Sequence, residues 1–205
     1  MVKQERALRT RRAVLQAAAE VIGERGYGAA TMAEIIQRAG VTKGALYFHF
    51  PSKDALARAV IEEQTDPFVP KETESRLQDA IDFTHEVAIA LRDDALLQAG
   101  TRIAVETTFS DTPMVPYQEW INIMTEIFGE ARRRGELLPS VDPAKAAEFF
   151  VSSYTGVQLF SLAASGRQDL PARVTSLWKH ILPGLASPGA MTHVDPQGRP
   201  HKTAA

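Results

Sequence analysis

The chain has 205 residues, 44% of them hydrophobic, and a formal net charge of −2, which excludes an intrinsically disordered protein and allows a small module joined to a larger one. It contains no cysteine, which excludes disulfides, thiol catalysis and thiolate metal sites. No stretch approaches the roughly 20 apolar residues that cross a bilayer, and the charged N-terminus does not resemble a secretion signal, so we expect a cytoplasmic protein with no membrane partner.

The first predicted elements are one long helix and a pair of short helices. The long helix covers about residues 4–25, and Gly26 ends it. Thr31 and Thr42 are placed to cap the two short helices, and Gly40 between them can adopt positive φ at low cost. The first short helix has apolar residues at the spacing of one helical face: Met32, Ile35, Ile36 and Ala39.

The second short helix begins with Lys43, followed by the small residues Gly44 and Ala45. Small side chains let a helix backbone approach DNA closely, while the lysine reaches a base or a phosphate. Three apolar residues are expected to fasten this helix to its neighbours: Leu46, Phe48 and Phe50. The pattern predicts a helix-turn-helix whose second helix lies in the major groove; an ordinary helical hairpin is the alternative.

Six further helices are predicted from apolar periodicity and from proline, glycine and capping residues, so the fold class is expected to be all-α. Their approximate ranges are 52–66, 76–91, 95–108, 117–134, 142–164 and 170–182. Pro183 is expected to end or kink the last helix. From Ser187 onward the chain is rich in proline, glycine and small polar residues, which predicts disorder.

The charged residues divide the chain into a basic first part and an acidic second part. Residues 1–58 hold ten Lys or Arg and five Asp or Glu, whereas residues 59–205 hold 13 and 20. A basic module attached to an acidic one is typical of a phosphate-binding head on a body that does not bind DNA. We therefore expect a helix-turn-helix DNA-binding domain, a helical ligand-binding and dimerisation domain, and a disordered tail, in residues 1–51, 52–186 and 187–205.

Lys43 is the candidate for base readout, because lysine donates to the O6 and N7 acceptors of guanine. Thr42 and Gly44 lie at a helix N-terminus, where backbone N–H groups and the helix dipole favour phosphate. The other candidates for contacts with the DNA backbone are Thr31, Tyr47, His49 and Lys53. Packing within the protein is the alternative role for Tyr47, and an ordinary surface position is the alternative for His49.

The run from Gly40 to Phe50, GVTKGALYFHF, followed by Ser52, Lys53 and Leu56, resembles the DNA-binding signature of the TetR (tetracycline-repressor) family. It is more similar still to the gamma-butyrolactone receptors of that family, which regulate antibiotic production in filamentous actinobacteria. The resemblance covers most of residues 3–186. It implies a ligand-responsive transcriptional repressor that a small lactone, butenolide or furan signalling molecule releases from a double-stranded, (pseudo)palindromic operator.

One short recognition helix reads only a few base pairs, so specific binding needs two copies spaced by roughly 34–36 Å or a multiple of it. The helices predicted over 142–164 and 170–182 carry more apolar surface than one small bundle hides. We expect them to pair with their two-fold copies in a homodimer. A role as ordinary core helices is the alternative.

The second domain is expected to enclose a pocket, since a DNA reader alone does not need it. Trp120 lies on the apolar stripe of its helix and is the candidate for a flat pocket wall; in the butyrolactone receptors a matching tryptophan packs on the ligand's ring. The other candidates are Gln64, Met124, Val151, Tyr154, Thr155 and Gln158, for which core packing or a surface position is an equal alternative. The few charges favour a mostly apolar ligand with one polar end.

Four other functions compete with this interpretation. They are a TetR-type regulator that responds to an unrelated apolar compound such as an antibiotic, a ligand-independent pseudo-receptor, an architectural DNA-binding protein and a helical enzyme. The enzyme is disfavoured because the five histidines are scattered and the sequence has no His-Glu-x-x-His pair, no Gly-x-Ser-x-Gly elbow and no phosphate-binding glycine loop. We expect no enzymatic activity, no cofactor and no metal.

Overall fold

The computed structural model describes residues 2–65, 70–106 and 115–199. These residues form α-helices, one short 3₁₀ helix at Ala190–Thr192 and no strand of a sheet, and the predicted all-α class is confirmed. The α-helices are α1 (Val2–Arg25), α2 (Met32–Ala39), α3 (Lys43–His49), α4 (Lys53–Thr65), α5 (Arg76–Asp93), α6 (Ala95–Glu106), α7 (Val115–Arg133), α8 (Pro143–Ser165) and α9 (Leu170–Leu185). None of these described helices has the length and hydrophobicity needed to span a bilayer.

One compact unit contains α1 to α4 together with α6. Its core is formed by buried apolar residues of all five helices, and α6 contributes Ala99 and Ile103. Helix α6 packs against both α1 and α4, so the unit that holds the helix-turn-helix includes a helix from much later in the sequence. The sequence-based division at residue 51 therefore does not coincide with the division by packing.

The second compact unit contains α5, α7, α8, α9 and the residues after α9. Aromatic rings form the centre of its core: the Phe150 ring lies 4.5 Å from the Trp178 ring and 6.3 Å from the Phe128 ring, between centroids. All three side chains are buried. Thr84 of α5 accepts a hydrogen bond from Trp178, which joins α5 to α9.

Helix α9 continues past Pro183, whereas the sequence predicted an end or a kink there. A proline removes one backbone donor, but only two helical residues follow it, so little of the ladder is affected. Leu182 and Leu185 are buried on either side of the proline, and Ala186 N donates to Leu182 O over 2.8 Å to close the last turn. Burial of this end therefore maintains the helix through the proline.

The segment of residues 187–199, here called the C-terminal strap, is hydrogen-bonded to α5, whereas its composition predicted disorder. The buried amide of Gln78 pairs with the backbone of Asp195: Gln78 Nε2 donates to Asp195 O over 3.2 Å, and Asp195 N donates to Gln78 Oε1 over 2.6 Å. Arg199 N donates to Asp82 Oδ1 over 2.8 Å. Side chains of α5 thus add partners to the turn hydrogen bonds that the strap makes within itself. Residues 200–205 lie outside the described residues.

Candidate DNA-binding and ligand-binding sites

The turn between α2 and α3 has the predicted local chemistry. Thr31 Oγ1 accepts from Glu34 N over 3.3 Å, and the Glu34 carboxylate accepts from Thr31 N over 3.1 Å, which makes a capping box. Gly40 ends α2 with φ of 63°. Thr42 Oγ1 accepts from Ala45 N over 3.2 Å and caps α3. Both predicted N-caps and the predicted glycine turn are therefore confirmed.

Helix α3 is fastened to its unit by Leu46 and Phe50, which are buried. Phe48 is 80% exposed, so the prediction that it packs within the protein is wrong. Successive residues of a helix turn by about 100°, so Phe48 points away from the face that Leu46 and Phe50 share. The spacing contained this signal. An exposed aromatic ring on a recognition helix is a candidate DNA contact that the sequence interpretation missed.

The outer face of α3 presents the residues proposed for base and phosphate contacts. Lys43, Gly44 and Tyr47 are all exposed, and Lys43 Nζ lies 5.9 Å from the centroid of the Tyr47 ring. Apart from the backbone of α3 and the two adjacent residues, no described atom lies within 4 Å of a Cβ built on Gly44. The structure thus places a cation near an aromatic ring, beside a glycine backbone that another molecule can approach.

Lys53 already has partners within the protein. Its Nζ donates to Gly28 O over 3.1 Å and lies 4.5 Å from the centroid of the Tyr27 ring. The Tyr27 hydroxyl donates to Asp54 Oδ1 over 2.6 Å. Burial and this hydrogen bond raise the pKa of Tyr27 to about 12. His49 is half-buried, with its ring 5.1 Å from the Phe48 ring. DNA contacts by Lys53 and His49 remain predictions.

The end of α6 holds the loop between α1 and α2. Glu106 Oε2 accepts from Tyr27 N over 2.6 Å and from Gly28 N over 3.2 Å, and Arg102 Nε donates to Glu106 Oε1 over 2.7 Å. Arg102 also donates to Gly23 O over 2.7 Å. Burial opposes ionisation of Glu106, but the hydrogen bonds from Arg102, Gly28 and Tyr27 outweigh it and hold the pKa of Glu106 below its ordinary value. We call this set of bonds the α6 clamp.

The ligand candidates on α7 lie on one stripe of the helix. The Trp120 ring is half-buried, with its centroid 5.9 Å from that of Phe83 on α5. Met124, one turn later, is buried. Trp120 therefore faces the interior of its unit beside a second aromatic ring, as a pocket wall requires. The side chain of Gln64 lies outside the described residues.

The ligand candidates on α8 have polar groups that are largely used within the protein. The Tyr154 hydroxyl donates to Thr84 O over 3.1 Å, and burial raises the pKa of Tyr154. Thr155 Oγ1 donates to the carbonyl oxygen of Val151 in its own helix over 2.8 Å. Val151 is buried. These residues contribute mainly shape and apolar surface to the interior.

One turn beyond Tyr154, α8 carries a buried polar pair. Gln158 Oε1 accepts from a terminal nitrogen of Arg167 over 3.1 Å, and both side chains are buried. Arg167 follows α8 and has φ of 69°, a conformation that non-glycine residues rarely adopt. The sequence interpretation placed Gln158 on this helix but missed Arg167, because no local pattern predicts a left-handed arginine.

The opposite face of α8 is exposed and apolar. Phe149 is 62% exposed and Phe160 is 63% exposed, and the Arg173 guanidinium lies 4.7 Å from the Phe160 ring centroid. Two more exposed apolar residues extend the surface: Leu159 and Leu162. Large apolar residues so exposed on one helix are typical of a surface that another protein covers.

The chain matches two protein-family descriptions: bacterial regulatory proteins of the tetR family over residues 14–60, and the tetracyclin repressor-like C-terminal domain over residues 74–187. The A-factor receptor protein of Streptomyces griseus is 44% identical over 199 residues, which is 97% of this chain and 72% of that protein. The crystal structure of TylP, a TetR regulator from Streptomyces fradiae, is 40% identical, has a TM-score of 0.83 and covers 93% of each chain.

A crystal structure of a gamma-butyrolactone receptor described as ArpA-like is 29% identical, with a TM-score of 0.73 over 90% of this chain and 92% of that chain. These relatives and the family as a whole are regulators rather than enzymes. The first matched region holds the helix-turn-helix, and the second holds the helices of the second unit together with α6 of the first. The chain therefore belongs to the TetR family and is a DNA-binding transcriptional repressor of the helix-turn-helix type.

Proposed function

We propose that this repressor binds a (pseudo)palindromic operator as a homodimer and that a small lactone, butenolide or furan signalling molecule releases it. The observation that carries the choice of ligand is the 44% identity with an A-factor receptor over 97% of the chain. The likeness to a gamma-butyrolactone receptor structure supports the same class of ligand. Because the DNA of a bacterial cell lies in the cytoplasm, we propose that this regulator acts there.

In this proposal the outer face of α3 reads the operator. Lys43 donates to guanine, and Tyr47 donates its hydroxyl to a phosphate. The bare backbone at Gly44 allows close approach, and the exposed Phe48 ring contacts a thymine methyl group. The remaining contacts are made to phosphates by Thr31, Thr42, His49 and Lys53.

The homodimer is supported by the exposed apolar face of α8. Phe149 and Phe160 lie on the solvent side of α8, whose other face is buried within its own unit. A two-fold copy of α8 and α9 covers such a face in an isologous interface. A homodimer carries two recognition helices, one for each half of the proposed operator.

The ligand is proposed to bind in the interior of the second unit, against Trp120 and Met124 of α7 and Val151, Tyr154 and Thr155 of α8. The aromatic and aliphatic lining matches a mostly apolar ligand. Gln64 is proposed as an additional contact on the strength of the sequence. Binding shifts the repressor towards a form with lower operator affinity, and couplings of this kind are typically about 1–3 kcal/mol.

Fluorescence anisotropy with the DNA upstream of the protein's own gene tests the operator part of the proposal. The double variant Lys43→Ala, Tyr47→Ala is expected to bind at least about tenfold more weakly and with a smaller salt dependence, because a phosphate contact and a base contact are lost. Lys179→Ala, at an exposed lysine of α9, is the matched control. Unchanged affinity of the double variant for every duplex tried contradicts the assignment.

The same titration with a synthetic 2-acyl-γ-butyrolactone tests the ligand part. The wild-type protein is expected to release the operator, with an affinity reduced by about 5- to 150-fold. If the operator is bound equally with and without lactone, the ligand class is wrong. The chain is then a TetR regulator of an unrelated compound or a pseudo-receptor.

A further inference from the structure

We propose that Gln158 and Arg167 form the polar anchor of the ligand pocket, in which Gln158 Nε2 donates a hydrogen bond to a carbonyl or carboxylate oxygen of the ligand. This inference rests on the proposed ligand-binding function and names the group that recognises the ligand's polar end. It concerns side chains of α8 and of the turn that follows it, all within the second compact unit.

The first support is a buried donor without an acceptor. Gln158 is only 2% exposed, and within the described part of the chain its Nε2 has no hydrogen-bond partner. Buried polar groups in native proteins are nearly always paired, because an unpaired buried donor is costly. A donor kept in this condition is explained by a partner that arrives only when a ligand binds.

The second support is that Arg167 fixes which end of the amide is available. A guanidinium has donors only, so the amide atom facing it over 3.1 Å must be the oxygen. Turning the amide over would place two sets of donors against each other. Gln158 therefore presents its NH₂ group away from Arg167, and the pair selects an acceptor rather than a donor on the ligand.

The third support is the backbone of Arg167. Its φ of 69° follows Gly166, whose φ is 61°, so two successive residues are left-handed. Glycine or asparagine adopts this conformation at lower cost than arginine. Residues held in rare conformations cluster at ligand sites, where the surroundings hold them in place. Here the conformation is combined with burial of the guanidinium behind Gln158.

The surroundings of the pair match a ligand with one polar end. Tyr154 lies one turn before Gln158, with its ring 6.1 Å from that of Phe150 and its hydroxyl already bonded to Thr84 O. The hydroxyl of Thr155 is bonded within α8. A ligand oxygen thus accepts the hydrogen bond for which Gln158 Nε2 has no partner among the neighbouring side chains. In this proposal the rest of the ligand lies against the rings of Tyr154 and Phe150.

The experiment measures Kd for a synthetic 2-acyl-γ-butyrolactone and for its ring-opened hydroxy-carboxylate by isothermal titration calorimetry. Gln158→Glu and Gln158→Met both remove the donor and keep the length of the side chain. Both are expected to weaken lactone binding by about tenfold or more. Gln158→Glu is expected to weaken carboxylate binding by a larger factor than lactone binding, because two like charges then meet. Gln168→Glu, at an exposed glutamine in the same turn, is the control.

Thermal unfolding separates this role from a structural one. With the donor unpaired in the free protein, at least one variant is expected to unfold within about 3 °C of wild type and to bind the operator normally without ligand. A larger fall in Tm for both variants, with lactone affinity retained, means that the amide is structural and overturns the anchor. The anchor is also overturned if both variants bind the lactone as tightly as the wild-type protein does. If wild type binds neither probe, the proposed ligand class fails and the anchor fails with it.

Discussion

The indole Nε1 of Trp178 donates to the hydroxyl of Thr84 over 2.8 Å, across 94 residues of sequence. Both side chains are buried. The same hydroxyl donates to Ile81 O over 2.9 Å, and the Thr84 carbonyl accepts from the Tyr154 hydroxyl. One residue of α5 therefore joins α8 and α9, and its hydroxyl is used both as a donor and as an acceptor.

Replacing Thr84 with valine keeps the shape of the side chain but leaves the buried indole N–H without an acceptor. We expect the free energy of unfolding to fall by about 1–3 kcal/mol, as measured by urea denaturation. Thr175→Val is the control, because Thr175 Oγ1 donates to Pro171 O in its own helix. Equal urea midpoints for the two variants would show that the Trp178 hydrogen bond contributes nothing to stability.

Gly44→Ala separates folding from DNA binding. Outside α3 itself the added Cβ meets no described atom within 4 Å, and the position is helical, so we expect the free protein to be at least as stable as wild type. Operator affinity is expected to fall by about tenfold, because the methyl group occupies space needed by DNA. Gly40→Ala is the contrasting variant: its φ of 63° predicts a loss of stability of about 1 kcal/mol. Wild-type operator affinity in Gly44→Ala argues against close approach at this residue.

The α6 clamp predicts a pH dependence of stability. The pKa of Glu106 in the folded protein is below its ordinary value of 4.5, so its carboxylate stabilises the fold above that pH, and this stabilisation is lost as pH falls through the folded pKa. Glu106→Gln retains an oxygen acceptor but not the charge. We expect a lower Tm than wild type near pH 6 and a smaller drop in Tm between roughly pH 6 and pH 3.

Differential scanning fluorimetry across this pH range measures the effect. Glu148→Gln, at an exposed position of α8, controls for the loss of one negative charge. If the Tm of Glu106→Gln and the Tm of wild type fall by the same amount on acidification, protonation of Glu106 does not loosen the loop between α1 and α2.

The C-terminal strap predicts a specific effect at Gly198. This residue has φ of 72°, and a Cβ built on it lies 2.8 Å from the buried ring of His85, whose Nε2 donates to Pro196 O over 3.0 Å. We expect Gly198→Ala to destabilise the protein by about 1–3 kcal/mol and to speed cleavage of the strap in limited proteolysis. Gly189→Ala is the matched control, since its φ is −65° and no atom lies within 4 Å of its Cβ. Equal cleavage rates would place the strap's stability elsewhere.

Features that depend on a few neighbouring residues were predictable from the sequence. The capping box at Thr31, the left-handed turn at Gly40 and the cap at Thr42 each follow from the chemistry of one side chain and its nearest backbone. The exposed positions of Lys43 and Tyr47, the proposed DNA contacts, follow from the same local pattern. The position of Phe48 was also available from helical spacing, and assigning it to the core was an error of interpretation.

Features that depend on distant residues were not predictable. The proline and glycine content of the strap indicated disorder. Its partners on α5 lie 117 residues earlier, so no local pattern could reveal them. The α6 clamp depends on a bond between Tyr27 and Glu106, which are 79 residues apart. The pairing of Gln158 with Arg167 depends on a left-handed arginine, which backbone preferences disfavour. The helix-turn-helix depends on neighbouring residues and the interior of the second unit depends on distant ones, so the sequence predicts the first better than the second.

The pairing of the strap with α5 also constrains when the second unit can finish folding during synthesis. Gln78 is translated early, but its amide acquires its backbone partners only after 117 further residues have been added. Until then the Gln78 side chain has Asp82 Oδ1 of its own helix as a partner but lacks its two bonds to Asp195, and apolar surface of the unit is not yet covered. Completion of this unit is therefore a late event in biogenesis, and chains arrested before residue 195 are expected substrates for chaperones and proteases.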